Sequence, residues 1–288
     1  MSLPIALDAM GGDFAPGEII AGARRAVDEL GLNVTLVGVL ELLGDPLGLE
    51  VVACTEVIAM DEDPGASVRK KKDSSLVRAA ELVRDGKASA MVSAGNTGAT
   101  MASALLRMGR LPGVIRPCIA TPISRPSTTP MLLVDAGANA ECKPEMLVQF
   151  AQMASTYVKA HYGVDRPSVG LLSIGEESSK GTPLVKATSQ LLRELSSLNF
   201  VGNVEGRDLV PSPVDVVVTD GFTGNVALKT LEGALKFVFS AVLGAIGTND
   251  ATKAAGDVLL PYLLPVVTEL SAENQGRAFM MAVALDAP

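Results

Sequence analysis

The sequence has no tryptophan, three tyrosines and seven phenylalanines, 3% aromatic in all. Stacking of exposed bases needs a series of flat aromatic faces, so single-strand recognition by stacking is excluded. A formal net charge of −8 also removes the general attraction to a phosphate backbone, and no nucleic-acid partner is expected. Histidine occurs once, as His161 beside Tyr162 and Gly163 at the end of a helical pattern, a place where a cation favourably meets the last carbonyls. A Ser-His-Asp or Cys-His triad would have to use it, and nothing places a nucleophile next to it. Cysteine is nearly as scarce. Cys54, Cys118 and Cys142 are odd in number, widely spaced and never in a CxxC pair, which supports neither a disulfide framework nor a zinc site. No apolar run approaches the roughly 18 residues of a membrane-spanning helix. The opening MSLPIALDAM runs directly into a strand pattern without the basic-then-apolar layout of a secretion signal. These absences predict a soluble, cytoplasmic protein.

Two nucleotide signatures are missing as well. G-x-G-x-x-G does not occur, so a dinucleotide site has no fingerprint. Gly175–Thr182, GEESSKGT, resembles a P-loop only superficially, because its second glycine follows Lys180 instead of preceding it. No cofactor and no metal are expected.

What the chain does have is apolar residues, 48% of the total, and 28 glycines, with charged residues held to 19%. That composition supports a substantial core and argues against extensive disorder. The apolar pattern predicts strands at Pro4–Ala9, Val34–Gly38, Val51–Ile58, Ala88–Ser93, Cys118–Thr121, Met131–Val134, Val169–Ile174, Phe200–Val204 and Asp215–Thr219. Helices are predicted from Pro16 to Leu30, Leu76 to Arg84, Ala99 to Met108, Pro144 to His161, Pro183 to Leu195, and from Asn225 through about Leu243. Asp61–Gly65 reads as a turn. Strand, glycine turn and helix recur near residues 5–20, 90–105, 131–150, 169–190 and 215–235. Alternation of this kind implies right-handed crossovers and a mainly parallel sheet, with ligands outside the carboxyl ends of its strands.

Val214–Lys229, VDVVVTDGFTGNVALK, shows the unit most clearly: a nearly pure valine strand, a bend at Phe222–Gly224 and Asn225 at the mouth of a helix. Helix N-termini leave backbone N–H groups free and attract anions. Gly95–Asn96–Thr97–Gly98, Gly137–Ala138–Asn139 and Gly221–Asn225 each join glycine to asparagine. Such turns either supply positive φ at strand ends or let N–H groups and amides close on an anion. Lys180 offers a compact cation for phosphate. Asp8, Asp135 and Asp220, at strand ends, either cap loops by accepting backbone N–H bonds or shape the field around a bound anion. The basic run Arg69–Lys70–Lys71–Lys72 is either a solvated face or a docking patch for an acidic partner.

These residues together resemble the PlsX family of phosphate acyltransferases. The resemblance is carried in order by LDAMGGDFAP at 7–16, KKDSS at 71–75, SAGNTG at 93–98, DAGAN at 135–139 with KPE at 143–145, Val169–Gly175, Lys180–Gly181, GNVEGRDL at 202–209 and VVVTDGFTGNVALKTLE at 216–232, and covers about residues 3–245. It implies a three-layer α/β/α fold, similar to phosphotransacetylases and to isocitrate/isopropylmalate dehydrogenases, here taken as a single domain over 1–288 with a helical extension at 240–275. It implies transfer of a long acyl chain from acyl carrier protein to inorganic phosphate, the acyl phosphate then feeding glycerol-3-phosphate acyltransferase in bacterial phospholipid synthesis, with no metal or nucleotide. Lys180 and Asn225 are then the catalytic candidates. Gly11, Gly12, Gly95, Asn96, Thr97, Gly98, Asp135, Gly137, Asn139, Gly221 and Gly224 are candidates for holding phosphate and substrate, and Arg69–Lys72 for docking the carrier protein. The resemblance also implies a homodimer and peripheral contact with the inner face of the membrane.

The chain departs from the family pattern in two places. Position 14 is Phe where the family usually has His, which argues against catalysis there. Beyond Leu243, the apolar GDVLLPYLLPVV at 256–267 stands where the family's tyrosine–glycine–glycine segment and later His-Gly motif are missing, and GRAFMMAVA at 276–284 looks like the terminal helix that follows them. An internal segment is therefore expected to be absent relative to the family. Val258–Val267, broken by Pro261 and Pro265, suits either a dimer interface or a membrane edge. Two other activities fit parts of the pattern: a phosphotransacetylase-like use of acyl-CoA, and an inactive membrane-edge interaction protein.

Overall fold

Strands and helices alternate along the computed structural model, which describes residues 2–125, 128–210, 213–270 and 278–281, and the strands form two sheets where the sequence predicts one. The chain divides into two compact units, one reaching Val114 and the other starting at Ile115, where the sequence reading takes 1–288 as one domain.

The first unit contains β1 (Ile5–Asp8), α1 (Gly17–Leu30), β2 (Val34–Gly38), α2 (Leu40–Leu43), β3 (Glu50–Ala53), α3 (Pro64–Lys70), α4 (Ser75–Arg84), β4 (Ala90–Val92) and α5 (Thr97–Arg107). Its four strands lie in the order β3-β2-β1-β4, all parallel. Neighbouring strand residues face opposite ways. Leu36 packs with Ile20 and Ala23 of α1, while Val37 and Ala6 pack with Ala79 and Val83 of α4. Helices therefore cover both faces. Pro64 opens α3 behind the N-cap Asp63, whose carboxylate accepts from Ala66 N–H at 2.7 Å, so Asp61–Gly65 is in part a helix start.

The second unit contains β5 (Cys118–Ile123), β6 (Met131–Val134), α6 (Pro144–Tyr162), β7 (Ser168–Leu172), α7 (Pro183–Glu194), β8 (Asn199–Val204), β9 (Val216–Val218), α8 (Gly221–Ile246), α9 (Asp250–Leu270) and β10 (Phe279–Met281). The order is β10-β5-β6-β9-β7-β8, with β6, β9, β7 and β8 parallel and β5 and β10 antiparallel to their neighbours. Leu132, Val134, Val216 and Val218 pack with Leu147, Phe150 and Ala154 of α6. The alternate residues Met131, Leu133 and Val217 pack with Leu228 of α8. This is again three layers, built on strands apolar on both faces as buried parallel strands are.

Two features of the C-terminal region differ from expectation. Phe279–Met281, read as part of a terminal helix, is strand β10, paired with the edge of β5. An edge strand offers unpaired backbone groups, Met281 is buried in the α6-side core, and Phe279 lies 4.4 Å from the Tyr157 ring. Residues 271–277 and 282–284 lie outside the described residues. Pro261 and Pro265 do not interrupt α9 but sit inside it. Their four-residue spacing puts both missing N–H groups on one face, and both prolines are exposed, so the carbonyls left without partners can bond water.

Candidate active site

Because β6, β9 and β7 are adjacent and parallel, the segments leaving their carboxyl ends share one edge of the second unit. Asp135 follows β6 and is fully buried. One of its carboxylate oxygens accepts N–H bonds from Ile119 at 3.0 Å, Gly137 at 3.3 Å and Ala138 at 3.0 Å. The other accepts from the Asn139 N–H and the Asn139 side-chain amide, both at 2.8 Å. The Asn139 amide also reaches Pro117 O at 2.9 Å. Direct phosphate contact by the side chains of Asp135 and Asn139, expected from the sequence, does not fit this geometry. The carboxylate is buried, its charge opposes an anion, and both groups are committed to folding the loop.

The segment after β9 docks on that loop. Gly221 N–H donates to Asn139 O at 2.8 Å. A β-carbon on Gly221 would lie 2.7 Å from Asn139 O, and one on Gly224 only 1.9 Å from Asp135 O. Glycine is required here for close backbone approach rather than to open N–H groups to a ligand. The bend predicted at 222–224 is the first turn of α8, because Asp220 acts as N-cap, its carboxylate accepting from Thr223 N–H at 2.9 Å and Thr223 Oγ1 at 2.8 Å. Much of this helix end's anion-attracting capacity is thus already satisfied. Asn225, the fifth residue of α8, is exposed, and its amide donates to Ala136 O at 3.4 Å. Gly137, at φ +137°, leaves the room that amide occupies, since a β-carbon there would sit 2.8 Å from it.

The third segment runs from β7 to α7 and carries Lys180, which is exposed and has no ion-pair or hydrogen-bond partner for its ammonium among the described residues. Thr182 caps α7 through Val185 N–H at 3.3 Å. The Lys180 stem lies over Gly175, where a β-carbon would come within 2.9 Å of Lys180 Cγ. Beneath the loop, the Asn203 amide on β8 donates to Gly175 O at 3.3 Å and Glu177 O at 3.0 Å. Sequence reasoning did not single out Asn203, although it lies within the GNVEGRDL match.

In the first unit, adjacent parallel β1 and β4 bring Gly11–Gly12 and Gly95–Gly98 together. A β-carbon on Gly11 would lie 2.4 Å from Gly95 O. Asp8, almost fully buried, accepts from Met10 N–H at 3.1 Å and from the Ser93 hydroxyl at 2.7 Å. Burial pushes its carboxyl pKa up, against the opposing pull of its hydrogen bonds from Ser75, Ser93, Met10 and Gly11. Asn96 is the N-cap of α5, accepting from Ala99 N–H at 3.2 Å and donating to Met60 O at 3.0 Å and Glu62 O at 3.2 Å. Its side chain, expected to hold phosphate, is committed to structure instead. Thr97 is exposed at the start of that helix, and Gly98 admits Pro64, whose Cγ would lie 2.7 Å from an added β-carbon.

The basic run is not uniform. Arg69, Lys70 and Lys72 are exposed. Lys71 is half-buried, pairing with the Glu62 carboxylate and donating to Val57 O at 2.7 Å. The docking role expected of Lys71 gives way to a tie that fastens the end of α3. That ammonium, with Ala59 N–H and the Ser67 hydroxyl, holds the Glu62 carboxyl down to about 2.

Side chains that could attack a substrate are poorly placed or poorly ionised. Burial pushes the Cys54 and Cys142 thiols up to about 11 and raises Cys118 further, so none is a ready thiolate. His161 is exposed in the last turn of α6, stacked 5.0 Å from Tyr157. Among the described residues no three metal-ligating side chains come together.

A family described as "Fatty acid synthesis protein" matches residues 3–283. Proteins named "Phosphate acyltransferase" from Elusimicrobium minutum and Leptospira biflexa are 49% and 45% identical, over 97% of this chain and 84% and 85% of theirs. Among solved structures, a phosphotransacetylase from Streptococcus pyogenes matches with a TM-score of 0.59 at 20% identity, covering 81% of this chain and 82% of that one. A branched-chain phosphotransacylase from Enterococcus faecalis matches with a TM-score of 0.60 at 18% identity, covering 80% and 84%. At such identity these structures show the fold alone.

Two predictions follow from this geometry. Gly224→Ala lowers stability in urea unfolding by at least the ~1–3 kcal/mol of core overpacking, whereas Gly233→Ala, with open space around it in the same helix, does not. For Glu62, whose folded pKa is depressed from 4.5 to about 2, the contribution to stability is present above pH 4.5 and lost as pH falls towards 2. Lys71→Met moves the Glu62 titration towards 4.5 and weakens that acid dependence, as carboxyl NMR titration of the two proteins will report.

Proposed function

We infer, since this chain belongs to the PlsX family of phosphate acyltransferases, that it passes a long acyl chain from acyl carrier protein to inorganic phosphate. A phosphate oxygen attacks the thioester carbonyl and forms the new C–O bond. The tetrahedral oxyanion collapses, the C–S bond breaks, and the carrier thiol leaves with a proton while acyl phosphate departs. Phosphate is itself the nucleophile, so raised cysteine pKa values and a stacked histidine present no difficulty. The protein's task is to hold a dianion and steady the developing oxyanion.

The observation that carries this reading is Lys180: an exposed side chain whose stem lies over Gly175, on the loop leaving the carboxyl end of β7, with an ammonium unpaired among the described residues. In the proposal it neutralises phosphate, and Asn225, exposed near the start of α8, donates to phosphate or oxyanion. Gly137, Gly221 and Gly224 support the site by allowing its segments to pack, and Asp135 and Asn139 by folding the loop between them. Gly11, Gly12, Gly95, Thr97 and Gly98 are retained as candidate substrate contacts within the first unit. Arg69, Lys70 and Lys72 are proposed to steer the acidic carrier protein. The acyl phosphate is proposed to feed glycerol-3-phosphate acyltransferase in phospholipid synthesis.

Helices α8 and α9 leave Phe237 75%, Tyr262 77% and Val258 66% exposed, more large apolar side chains than a solvated helix pair needs. This supports a covered surface, either in a homodimer or at the inner face of the membrane. No helix among the described residues is long and apolar enough to cross a membrane, and the proposed location is the cytoplasm, with any membrane contact peripheral. Light scattering of the protein and its co-sedimentation with anionic liposomes separate the two covers.

Lys180→Ala is expected to keep its unfolding transition and lose acyl phosphate formation by roughly a hundredfold or more. Unchanged turnover at saturating phosphate removes Lys180 from the reaction. The same assay run with coenzyme A thioesters tests the phosphotransacetylase-like alternative, which requires them to match the carrier-protein substrate. Charge reversal at Lys70 and Lys72 raises KM for acyl carrier protein at low salt, with the difference fading as salt screens it. An unchanged KM returns these residues to an ordinary solvated face.

A further inference from the structure

Asn203 occupies a position where its own strand has no need of an amide. It lies on β8, level with the buried core residue Leu171 of β7, and only 8% of it is exposed. Burying a carboxamide costs free energy unless it is hydrogen-bonded, and Asn203 Oδ1 is buried without a partner among the described residues. The amide nitrogen makes two bonds, and both run to the loop that carries Lys180: to Gly175 O at 3.3 Å and to Glu177 O at 3.0 Å. The Glu177 carbonyl receives a second donor, Lys180 N–H at 3.0 Å. One carbonyl thus links the Asn203 amide directly to the backbone of Lys180. Gly175, the other carbonyl that Asn203 holds, is the residue over which the Lys180 stem lies. A leucine at 203 would fill the same space without the buried, unpaired oxygen, so the arrangement favours the loop and not the sheet.

We propose that Asn203 is a positioning residue that holds the 175–180 loop so that Lys180 stands in one place at the strand-end edge. The proposal rests on the reading of Lys180 given above and extends it beneath the loop. Small misplacement of a group that must meet a reacting phosphate is costly, and the loop is made largely of exposed residues (Glu176 to Lys180), with an exposed Arg207–Glu176 ion pair at 3.6 Å as a further tie, worth little in water.

A double-mutant cycle on the full chain, assayed with acyl carrier protein thioester and inorganic phosphate, tests this. Asn203→Leu is expected to lower kcat/KM roughly tenfold to a hundredfold, and to change it by less than about twofold when Lys180→Ala is already present, the signature of coupled residues. An equal loss in both backgrounds, or less than a twofold loss alone, overturns the proposal. Hydrogen exchange at the Lys180 amide gives a readout independent of turnover. It quickens in Asn203→Leu if Asn203 anchors the loop, and unchanged exchange overturns the anchor even where Lys180→Ala is inactive. If Lys180→Ala proves fully active while exchange quickens, the anchor stands as geometry, the role of Lys180 falls, and the proposal that Asn203 serves catalysis through it is overturned. Should Asn203→Leu fail to fold, Asn203→Asp, which keeps the shape and removes the donors, carries the same measurements.

Discussion

The carboxylate of Asp135 is the interaction on which the second unit's functional edge depends. A fully buried anion is costly unless its lone pairs are filled, and here they are filled by backbone N–H groups of Ile119, Gly137, Ala138 and Asn139 together with the Asn139 amide. Those donors come from β5 and from the loop after β6, so the carboxylate stitches the antiparallel side of the sheet to the turn at its parallel side. The shape of that turn then dictates its neighbour. Asn139 O accepts Gly221 N–H, and Asp135 O lies where any β-carbon at 224 would be. The glycines of the α8 start are consequences of Asp135 rather than independent ligands. In the first unit Asp8 performs the corresponding task for Gly11 and Gly95, through Met10 N–H and Ser93.

Much of the fold was legible in the sequence because buried parallel strands and amphipathic helices announce themselves by composition and period. The valine strand before Asp220, the proline-started helices at 144 and 183, and the glycine after Leu30 all appear where the pattern places them. The division into two sheets was not legible, since each strand–turn–helix unit looks alike whichever sheet receives it. Nor was β10: Phe279–Met281 is a short apolar run whose state is decided by the open edge of β5, a partner far away in sequence. The position of α3 was set by Asp63 and Pro64, cap signals that a run of Asp, Glu and Gly around them disguised as a turn.

The strand-end turns proposed as the site were legible as turns, and the structural work of their side chains was less so. Glycine with asparagine does fall just after the strands, as the pattern places it, but residue type does not say whether an amide faces a ligand or its own backbone. Asn96 and Asn139 turned out to be caps and loop ties, while Asn225 alone of the three stands exposed on its helix with a single long bond. Lys71 looked identical to its neighbours in the basic run and differs only because Val57 O and Glu62 come within reach in three dimensions. Asn203 had only its place in a longer match to recommend it, since a buried asparagine in a strand has no local signature.

This uneven division between supporting and contacting residues has a chemical reason. In a phosphate acyltransferase the substrates bring both nucleophile and electrophile, so the protein gains little from an activated side chain and much from holding a small dianion at a fixed point. A buried carboxylate at a strand end makes that harder, because its negative charge would lie near the edge proposed to bind phosphate. N–H donors surround the carboxylate of Asp135, and the Lys180 ammonium on the neighbouring loop has no carboxylate partner among the described residues. An unpaired cation on an exposed loop is a weak device unless its backbone is held. The need to fix that loop, more than any need of the sheet, accounts for a polar, incompletely satisfied asparagine at position 203.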